Sequence, residues 1–235
     1  MFENMNFSGI WQNFSSVPGD LLRQLKLLGI GTLTSLEIFV LTLVFSLPLG
    51  LLVAFGRMSR NKIVSTVIKA YILVMRGTPL MLQLIFIYFA PSYMLPESLK
   101  INLDRFVAAI IAFSLNYAAY LAEIYRAGIE SIALGQYEAA AVLGFTKSQT
   151  FFRIILPQVI KRILPPVGNE VITLVKDTAL VTTLGISELF RAARNESARI
   201  SSTTPLFIAG VFYLIMNYVV TKVFDMLEKK LSYYR

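Results

Sequence analysis

Residues 138–157, EAAAVLGFTKSQTFFRIILP, form a self-contained pattern of helix signals between two apolar segments of the chain. The alanine-rich beginning favours a helix, and Gly144 is a typical residue for ending one. Thr146 or Ser148 can then cap a second helix that runs into Pro157. The stretch therefore predicts two short helices joined at Gly144.

The same stretch is part of a loop of about thirty residues, 126–156, which is far longer than a reversal between two helices requires. We expect its helices to cover 136–143 and 149–155. Ala139 and Ala140 carry almost no side-chain bulk, so another surface could approach this backbone closely. From the residues alone, two interpretations remain open: a knob that docks on another protein, or an amphipathic hairpin that rests on the membrane.

The composition of the whole chain is that of a membrane protein. Of its 235 residues, 56% are hydrophobic and only 15% are charged, and the mean hydropathy is +0.65. Ordinary soluble domains are considerably less apolar. Five segments are apolar and near the length that a bilayer requires: 29–56, 63–95, 106–121, 157–184 and 205–227. The expected fold class is all-α, an integral membrane protein with five transmembrane helices.

The second of these segments is too long for one perpendicular span, and it carries Lys69, Arg76 and Pro79. We expect an interfacial or protruding first half, then a bend at Arg76-Gly77-Thr78-Pro79, then the span itself. Proline causes such a bend because it removes a backbone donor and restricts the residue before it. Two interpretations of Thr78 remain open: it contacts a ligand, or it contacts the bent backbone.

The fourth segment is polar for a membrane helix. Glu170 and Asp177 are seven residues apart, so they share a face at a spacing of about 10 Å, with Thr173 between them. Because such groups are expensive against lipid, we expect the other helices to enclose this one, or the helix to line a wet cavity. The carboxylates could bind a cationic group of a substrate. Alternatively, they neutralise cations of the chain itself: Lys69, Arg76 or Lys176.

The distribution of Lys and Arg predicts the orientation. Eleven lie on the side that carries the 126–156 loop, against seven on the opposite side. Cytoplasmic loops are the richer in Lys and Arg, so the amino terminus is expected outside and the carboxyl terminus in the cytoplasm. Accordingly, we expect 1–28 to be an extracytoplasmic segment, 29–228 the transmembrane domain and 229–235 a cytoplasmic tail.

Several classes of function are disfavoured by the composition. The chain has no cysteine and no histidine, which argues against thiolate or imidazole catalysis and against zinc binding. We therefore predict no catalytic residue and no metal site. The net charge of +8 is scattered between apolar runs rather than gathered in a basic domain with interleaved aromatic residues, which argues against nucleic acid as a partner.

Two further groups of charges lie near the ends of the spans. Glu123 and Arg126 are expected to form an ion pair or to brace the loop. Residues 187–200 predict an amphipathic helix on the outer face. Its arginines could receive an acidic binding protein or simply be solvated: Arg191, Arg194 and Arg199.

The loop also carries a signature. Glu138-Ala139-Ala140, Gly144, Ile154 and Leu156-Pro157 fill every fixed position of the pattern EAA-x3-G-x9-I-x-LP. In this the chain resembles the permease subunits of ABC importers. It resembles their polar amino acid branch, of the histidine, arginine, glutamine and cystine type, in five further stretches: 76–79, 122–132, 135–136, 169–170 and 176–180.

The resemblance implies a type I ABC importer permease fold in a bacterial plasma (inner) membrane. The loop would then dock in a cleft of a cytoplasmic ATPase subunit, with Glu138 making polar contact and Gly144 forming the turn. Ala139, Ala140 and Pro157 complete the expected coupling residues. The chain has no Gly-x4-Gly-Lys-Ser/Thr phosphate loop, so ATP and Mg would be bound by the partner, and this chain would be neither an enzyme nor the holder of a cofactor.

The resemblance also implies further partners and a substrate. The partners are an extracytoplasmic substrate-binding protein, a second permease copy, either identical or paralogous, and membrane lipid. The substrate would be a polar L-amino acid moved by alternating access, and some family members place it beside the stretch from Glu170 to Asp177. Two carboxylates favour a basic amino acid, but a zwitterion such as glutamine or cystine also presents an ammonium group. The alternative is a secondary carrier driven by an ion gradient, but such a carrier has no need of the long loop.

Overall fold

The computed structural model describes residues 18–94, 96 and 100–231, and throughout these ranges the regular elements are helices. Residues 1–17 of the predicted extracytoplasmic segment and 232–235 of the predicted tail lie outside the described residues. Two of the described elements are not α-helices: a π-helix, Thr150–Ile155, and a 3₁₀-helix, Thr178–Leu184. In chain order the α-helices are α1 (Pro18–Arg57), α2 (Lys62–Gly77), α3 (Leu80–Tyr93), α4 (Arg105–Glu130), α5 (Leu134–Val142), α6 (Lys147–Gln149), α7 (Leu156–Asp177), α8 (Leu189–Ile200) and α9 (Thr204–Leu231).

Three of these helices, α1, α4 and α9, are long and apolar enough to cross a membrane. Taken together, α2 and α3 are also long and apolar enough to cross a membrane. The two helices are bent by 112° at the break between them, which confirms the predicted bend. α7 has 22 residues and is also long enough to cross a membrane. Its charged side chains make it less apolar than these spans. These elements correspond to the five predicted segments.

α1 packs along α4 through small residues. Thr42, Ser46, Gly50 and Ala54 recur at every fourth position of α1 and are buried. A Cβ atom added to Gly50 would lie only 2.8 Å from the Cβ of Leu121. Small residues at this spacing allow two membrane helices to approach closely, and the contact fixes α4 in the middle of the molecule.

α7 is buried on one face and open on the other. Gly168 lies so close to Phe224 of α9 that an added Cβ atom would be 2.9 Å from its ring. The buried face is completed by apolar residues: Val167, Val171, Leu174 and Val175. Asn169, Thr173 and Lys176 are exposed. The expected enclosure of this helix therefore holds for one face only.

The loop between α4 and α7 contains the predicted turn. α5 ends at Val142, and Gly144 has a φ of +77°, a left-handed conformation that favours glycine. The N–H of Gly144 donates to the carbonyl of Ala141, and the N–H of Phe145 to that of Ala140, both at 3.0 Å. These two bonds form a Schellman motif, which ends the helix and reverses the chain.

The second helix of the loop differs from the short, separate helix predicted over 149–155. Thr146 caps α6 in a capping box, as expected, but the chain then continues through the π-helix into α7 without interruption. The N–H of Leu156 donates to the carbonyl of Phe151, five residues back. Pro157 falls in the first turn of α7, where proline does not break the helix. The loop therefore consists of α5 and the beginning of one long helix.

Candidate functional site

A polar groove of about 540 Å³ opens between α2, α4 and α7. Ionisable side chains inside a membrane protein are rare, and they mark substrate or ion pathways by default. This groove is therefore the candidate translocation site. Its charged lining residues are Arg76, Glu123, Arg126, Arg162 and Glu170.

Glu170 is a half-buried carboxylate of this groove. Among the described residues, no cation lies within 4.0 Å of it to form an ion pair. The positive charge of Arg76 acts favourably on it from a longer distance, while the Arg76 guanidinium lies 5.1 Å from the centre of the Tyr120 ring. Direct neutralisation by Lys69, Arg76 or Lys176 is thus not found, and Glu170 faces the groove without a salt-bridge partner.

Asp177 ends α7 two turns after Glu170. The Oη of Tyr117 donates a hydrogen bond to its Oδ2 at 2.8 Å. Thr173 lies exposed between the two carboxylates, and its Oγ1 donates to the carbonyl of Asn169 at 2.9 Å. The helix thus brings Glu170, Thr173 and Asp177 to one face, as their spacing predicts, and the fold adds Tyr117 as a partner from α4.

Thr78 lies at the break between α2 and α3. Its Oγ1 donates to the carbonyl of Val74 at 2.8 Å and accepts a hydrogen bond from Nε2 of Gln83 at 2.8 Å. The hydroxyl of Thr78 therefore already bonds to the backbone at the bend and to the side chain of Gln83. This geometry favours the backbone role over the ligand role that the sequence left open.

Two buried amides beside this break, Gln83 and Asn116, do not emerge from the sequence analysis. They are 8% and 4% exposed, and Nδ2 of Asn116 donates to Oε1 of Gln83 at 2.9 Å. Each stands alone in an apolar run of a membrane helix. That isolation is the signal that could have identified them, because a polar group inside a bilayer needs an internal partner.

Glu123 and Arg126 form the predicted ion pair. Nη2 of Arg126 lies 2.6 Å from Oε2 of Glu123, and Nε of Arg57, the last residue of α1, lies 3.7 Å from Oε1. On the neighbouring helix, Nη1 of Arg162 donates to Oγ of Ser131 at 2.9 Å. These contacts connect α1, α4 and α7 at the base of the loop, which supports the interpretation as a brace.

The loop presents an exposed surface with an apolar tip. Glu138 and Ala139 are exposed, and the side chains of Val142 and Leu143 are 88% and 74% exposed. Ala140 is only 1% exposed. It packs inside the loop, so Ala139 and not Ala140 lies on the exposed surface. This tip is therefore the candidate docking surface of the loop.

α8 confirms the amphipathic helix predicted near residues 187–200, but two of its three arginines are engaged within the chain. Nη2 of Arg199 lies 2.6 Å from Oε1 of the buried Glu196. Nη1 of Arg191 donates to a backbone carbonyl of the preceding 3₁₀-helix at 3.3 Å. Arg194 is exposed, so it is the arginine of this helix best placed for an external contact.

Glu188, which the sequence analysis does not single out, is fully buried at the start of α8. Its carboxylate accepts hydrogen bonds from the N–H groups of Phe190 and Arg191 at 2.6 and 2.7 Å. Oη of Tyr213 donates to it from α9 at 3.2 Å. Burial raises the pKa of the Glu188 carboxyl above its usual value, although these hydrogen bonds act in the opposite direction. Glu188 thus ties α8 to α9.

Comparisons with known proteins agree with this architecture. Residues 46–233 match the family described as binding-protein-dependent transport system inner membrane component. The chain is 36% identical to the L-cystine transport system permease protein TcyB of Bacillus subtilis (strain 168), over 94% of each chain. It is 38% identical to the arginine transport system permease protein ArtQ of the same organism, over 86% of this chain and 91% of that protein.

A solved structure is also similar. The crystal structure of an amino acid ABC transporter with histidines contains a chain with a TM-score of 0.81 and 33% identity, covering 90% of this chain and 97% of that one. The resemblance carried by the loop signature and the all-α, type I permease fold it implies are thereby confirmed. The chain belongs to the family of inner-membrane components of binding-protein-dependent transport systems.

Proposed function

We propose that the chain is one of two permease subunits of an ATP-driven importer that moves a polar amino acid by alternating access. Relatives named for cystine, glutamine and arginine transport support this class of substrate. The observation that carries the proposal is the placement of opposite charges, Glu170 and Arg76, in one groove between α2, α4 and α7. An amino acid zwitterion needs a site with one negative and one positive group, because each of its own two charges needs an opposite charge once it leaves water.

Within this groove, Glu170 would bind the α-ammonium group of the substrate. Arg76 would receive the α-carboxylate, since a guanidinium can hold a carboxylate through two parallel hydrogen bonds. Asp177 and Thr173 lie further along the same face of α7. They would contact the side chain of the substrate, and a basic side chain would gain most from the second carboxylate.

A second permease copy, identical or paralogous, would complete the pathway. Arg76, Thr173 and Lys176 are exposed in the single chain, yet charged side chains in membrane proteins face the bundle interior rather than lipid. A second subunit over this side would enclose the groove between two chains. Alternating access would then follow from the two chains rocking against each other.

The energy would come from partner ATPase subunits, which bind ATP and Mg, and the loop would carry their motion. Glu138 and the apolar tip of Val142 and Leu143 would form the docking surface. Because α6 continues through the π-helix into α7, a movement of the docked loop would reach Glu170 and Asp177 along one helix. A secondary carrier would have no use for this docking surface.

Docking of the loop on a cytoplasmic ATPase would also fix the orientation. The carboxyl terminus would lie in the cytoplasm and the amino terminus outside. The substrate-binding protein would approach from the opposite side, where α8 presents Arg194 to an acidic surface.

Glu170→Gln is expected to raise the KM for uptake about 10- to 100-fold, the effect of losing a hydrogen bond to a charged group. Asp177→Asn is expected to raise it less, because the amide oxygen can still accept the hydrogen bond of Tyr117. The measurement is ATP-driven uptake of radiolabelled L-arginine, L-glutamine and L-cystine into proteoliposomes that contain the purified transporter with its ATPase subunits and a saturating amount of its substrate-binding protein.

Asp225→Asn is the matched control. Asp225 lies on α9, outside the groove, with a side chain 48% exposed, so the same chemical change should leave the KM unaltered. An unchanged KM for both Glu170→Gln and Asp177→Asn, in transporters that assemble normally, would remove these two residues from the substrate site.

A further inference from the structure

The break between α2 and α3 leaves several backbone carbonyls without their usual donors, among them those of Met75 and Thr78. The carbonyl of Met75 would normally accept from the N–H of residue 79, but Pro79 has none. The N–H groups of Leu82 and Gln83 both donate to the carbonyl of Pro79, at 3.0 and 3.3 Å. The carbonyl of Thr78 therefore also lacks a backbone donor at this point. Inside a bilayer, neither carbonyl can turn to water for a substitute.

The two buried amides supply these donors. Nε2 of Gln83 lies 2.9 Å from the carbonyl oxygen of Met75 and 3.1 Å from that of Thr78. Nδ2 of Asn116 lies 2.9 Å from the same Met75 oxygen and also bonds Gln83. α4 and α3 thus hold the end of α2 at the atoms that the proline leaves unsatisfied.

The helix that carries Asn116 also organises the groove. On α4, Asn116 holds Met75, its neighbour Tyr117 holds Asp177, and Tyr120, one turn further, lies under the guanidinium of Arg76. Met75 is adjacent to Arg76 in sequence. A shift of the break relative to α4 would therefore move Arg76 away from Tyr120 and change its distance from the carboxylates of α7.

We propose that Gln83 and Asn116 are positioning residues for the transported amino acid, which hold the proline break so that Arg76 stays opposite Glu170. The proposal rests on the substrate site given under Proposed function and deepens it. It differs from a purely structural role, in which the same amides satisfy two buried carbonyls and have no effect on substrate affinity.

The test compares Asn116→Leu and Gln83→Met, which keep the approximate size of each side chain and remove its donors. The matched control is Ser114→Ala, also on α4, because the buried Ser114 hydroxyl has no hydrogen-bond partner among the described residues. Each variant is purified with its ATPase subunits and reconstituted, and a saturating amount of the substrate-binding protein is supplied. The KM is measured with whichever of L-arginine, L-glutamine and L-cystine the unmodified transporter takes up with the lowest KM.

We expect Asn116→Leu and Gln83→Met to raise the KM about tenfold, as displacement of a substrate-binding group does, and Ser114→Ala to leave it unchanged. In a background of Arg76→Ala, the further change Asn116→Leu should add little to the KM, because the two residues act as one unit. A purely structural role predicts that the two effects multiply instead.

Three results would overturn the proposal: an unchanged KM in both amide variants, multiplicative effects with Arg76→Ala, or failure of both amide variants to assemble. This last result would mean that the two amides are needed only for folding. Failure of the substrate site itself is distinguishable, because Glu170→Gln would then leave the KM unchanged. A raised KM in Glu170→Gln together with a normal KM in Asn116→Leu would remove only the positioning role.

Discussion

Gly144→Val is expected to reduce uptake on the order of 100-fold while ATP hydrolysis continues, since a small misplacement of a working group can cost that much. Gly144 has a φ of +77°, and a β-branched residue is a genuine outlier there. No atom lies within 4 Å of an added Cβ atom, so the side chain itself meets no obstacle. The turn between α5 and α6 must change instead, and the docking surface changes with it.

Gly144→Asn is the matched control, because asparagine adopts the left-handed conformation more readily than other residues with a side chain. It should retain most of the uptake. The measurement is the ratio of amino acid transported to ATP hydrolysed in proteoliposomes. A Gly144→Val transporter with a normal ratio would show that the shape of this turn has no part in coupling.

Gly31→Val is expected to prevent stable assembly or to lower the melting temperature of the purified complex by several degrees. A Cβ atom at Gly31 would lie 2.9 Å from the Cα and 3.0 Å from the N of Leu189. These are backbone atoms, which cannot rotate away as a side chain can. Overpacking of this kind costs about 1–3 kcal/mol, and here it would push the start of α8 away from α1.

The contact between Gly31 and Leu189 has a second reason to be sensitive to added bulk. The N–H of Leu189 lies 3.3 Å from Oγ of Ser35, one turn after Gly31, and the buried Glu188 is its neighbour. Gly29→Val is the matched control, because an added Cβ atom there meets nothing within 4 Å. Equal melting temperatures for Gly31→Val and Gly29→Val would contradict the close contact between α1 and α8.

Much of the fold could be predicted because its signals are local. Apolar runs indicate where the spans lie, Gly144 indicates a turn, and Pro79 indicates a bend, and each of these depends on neighbouring residues only. The end predicted for the second of the two loop helices, at Ile155, was wrong for a local reason as well. Proline tends to stop a helix, but the π-helix before Pro157 places it in a first turn, where it is tolerated.

The candidate site could be predicted only in part, because its partners are distant in sequence. Helical spacing alone brings Glu170, Thr173 and Asp177 to one face. The partner of Asp177, Tyr117, is 60 residues away. The amide pair joins residues 33 positions apart. Likewise, nothing in the run of alanines distinguishes the two exposed ones, Ala139 and Ala141, from the buried Ala140, since tertiary packing decides that.

The central claim is that the loop between α4 and α7 docks on an ATPase subunit and conveys its motion, and site-directed cross-linking tests this most directly. The chain has no native cysteine, so one introduced thiol can carry a maleimide photo-cross-linker. With Val142→Cys, we expect a cross-link to the ATPase subunit whose yield changes when ATP binds. Asn195→Cys, exposed on α8, should give none. A cross-link to the ATPase from Asn195→Cys, or none from Val142→Cys, would contradict the claim.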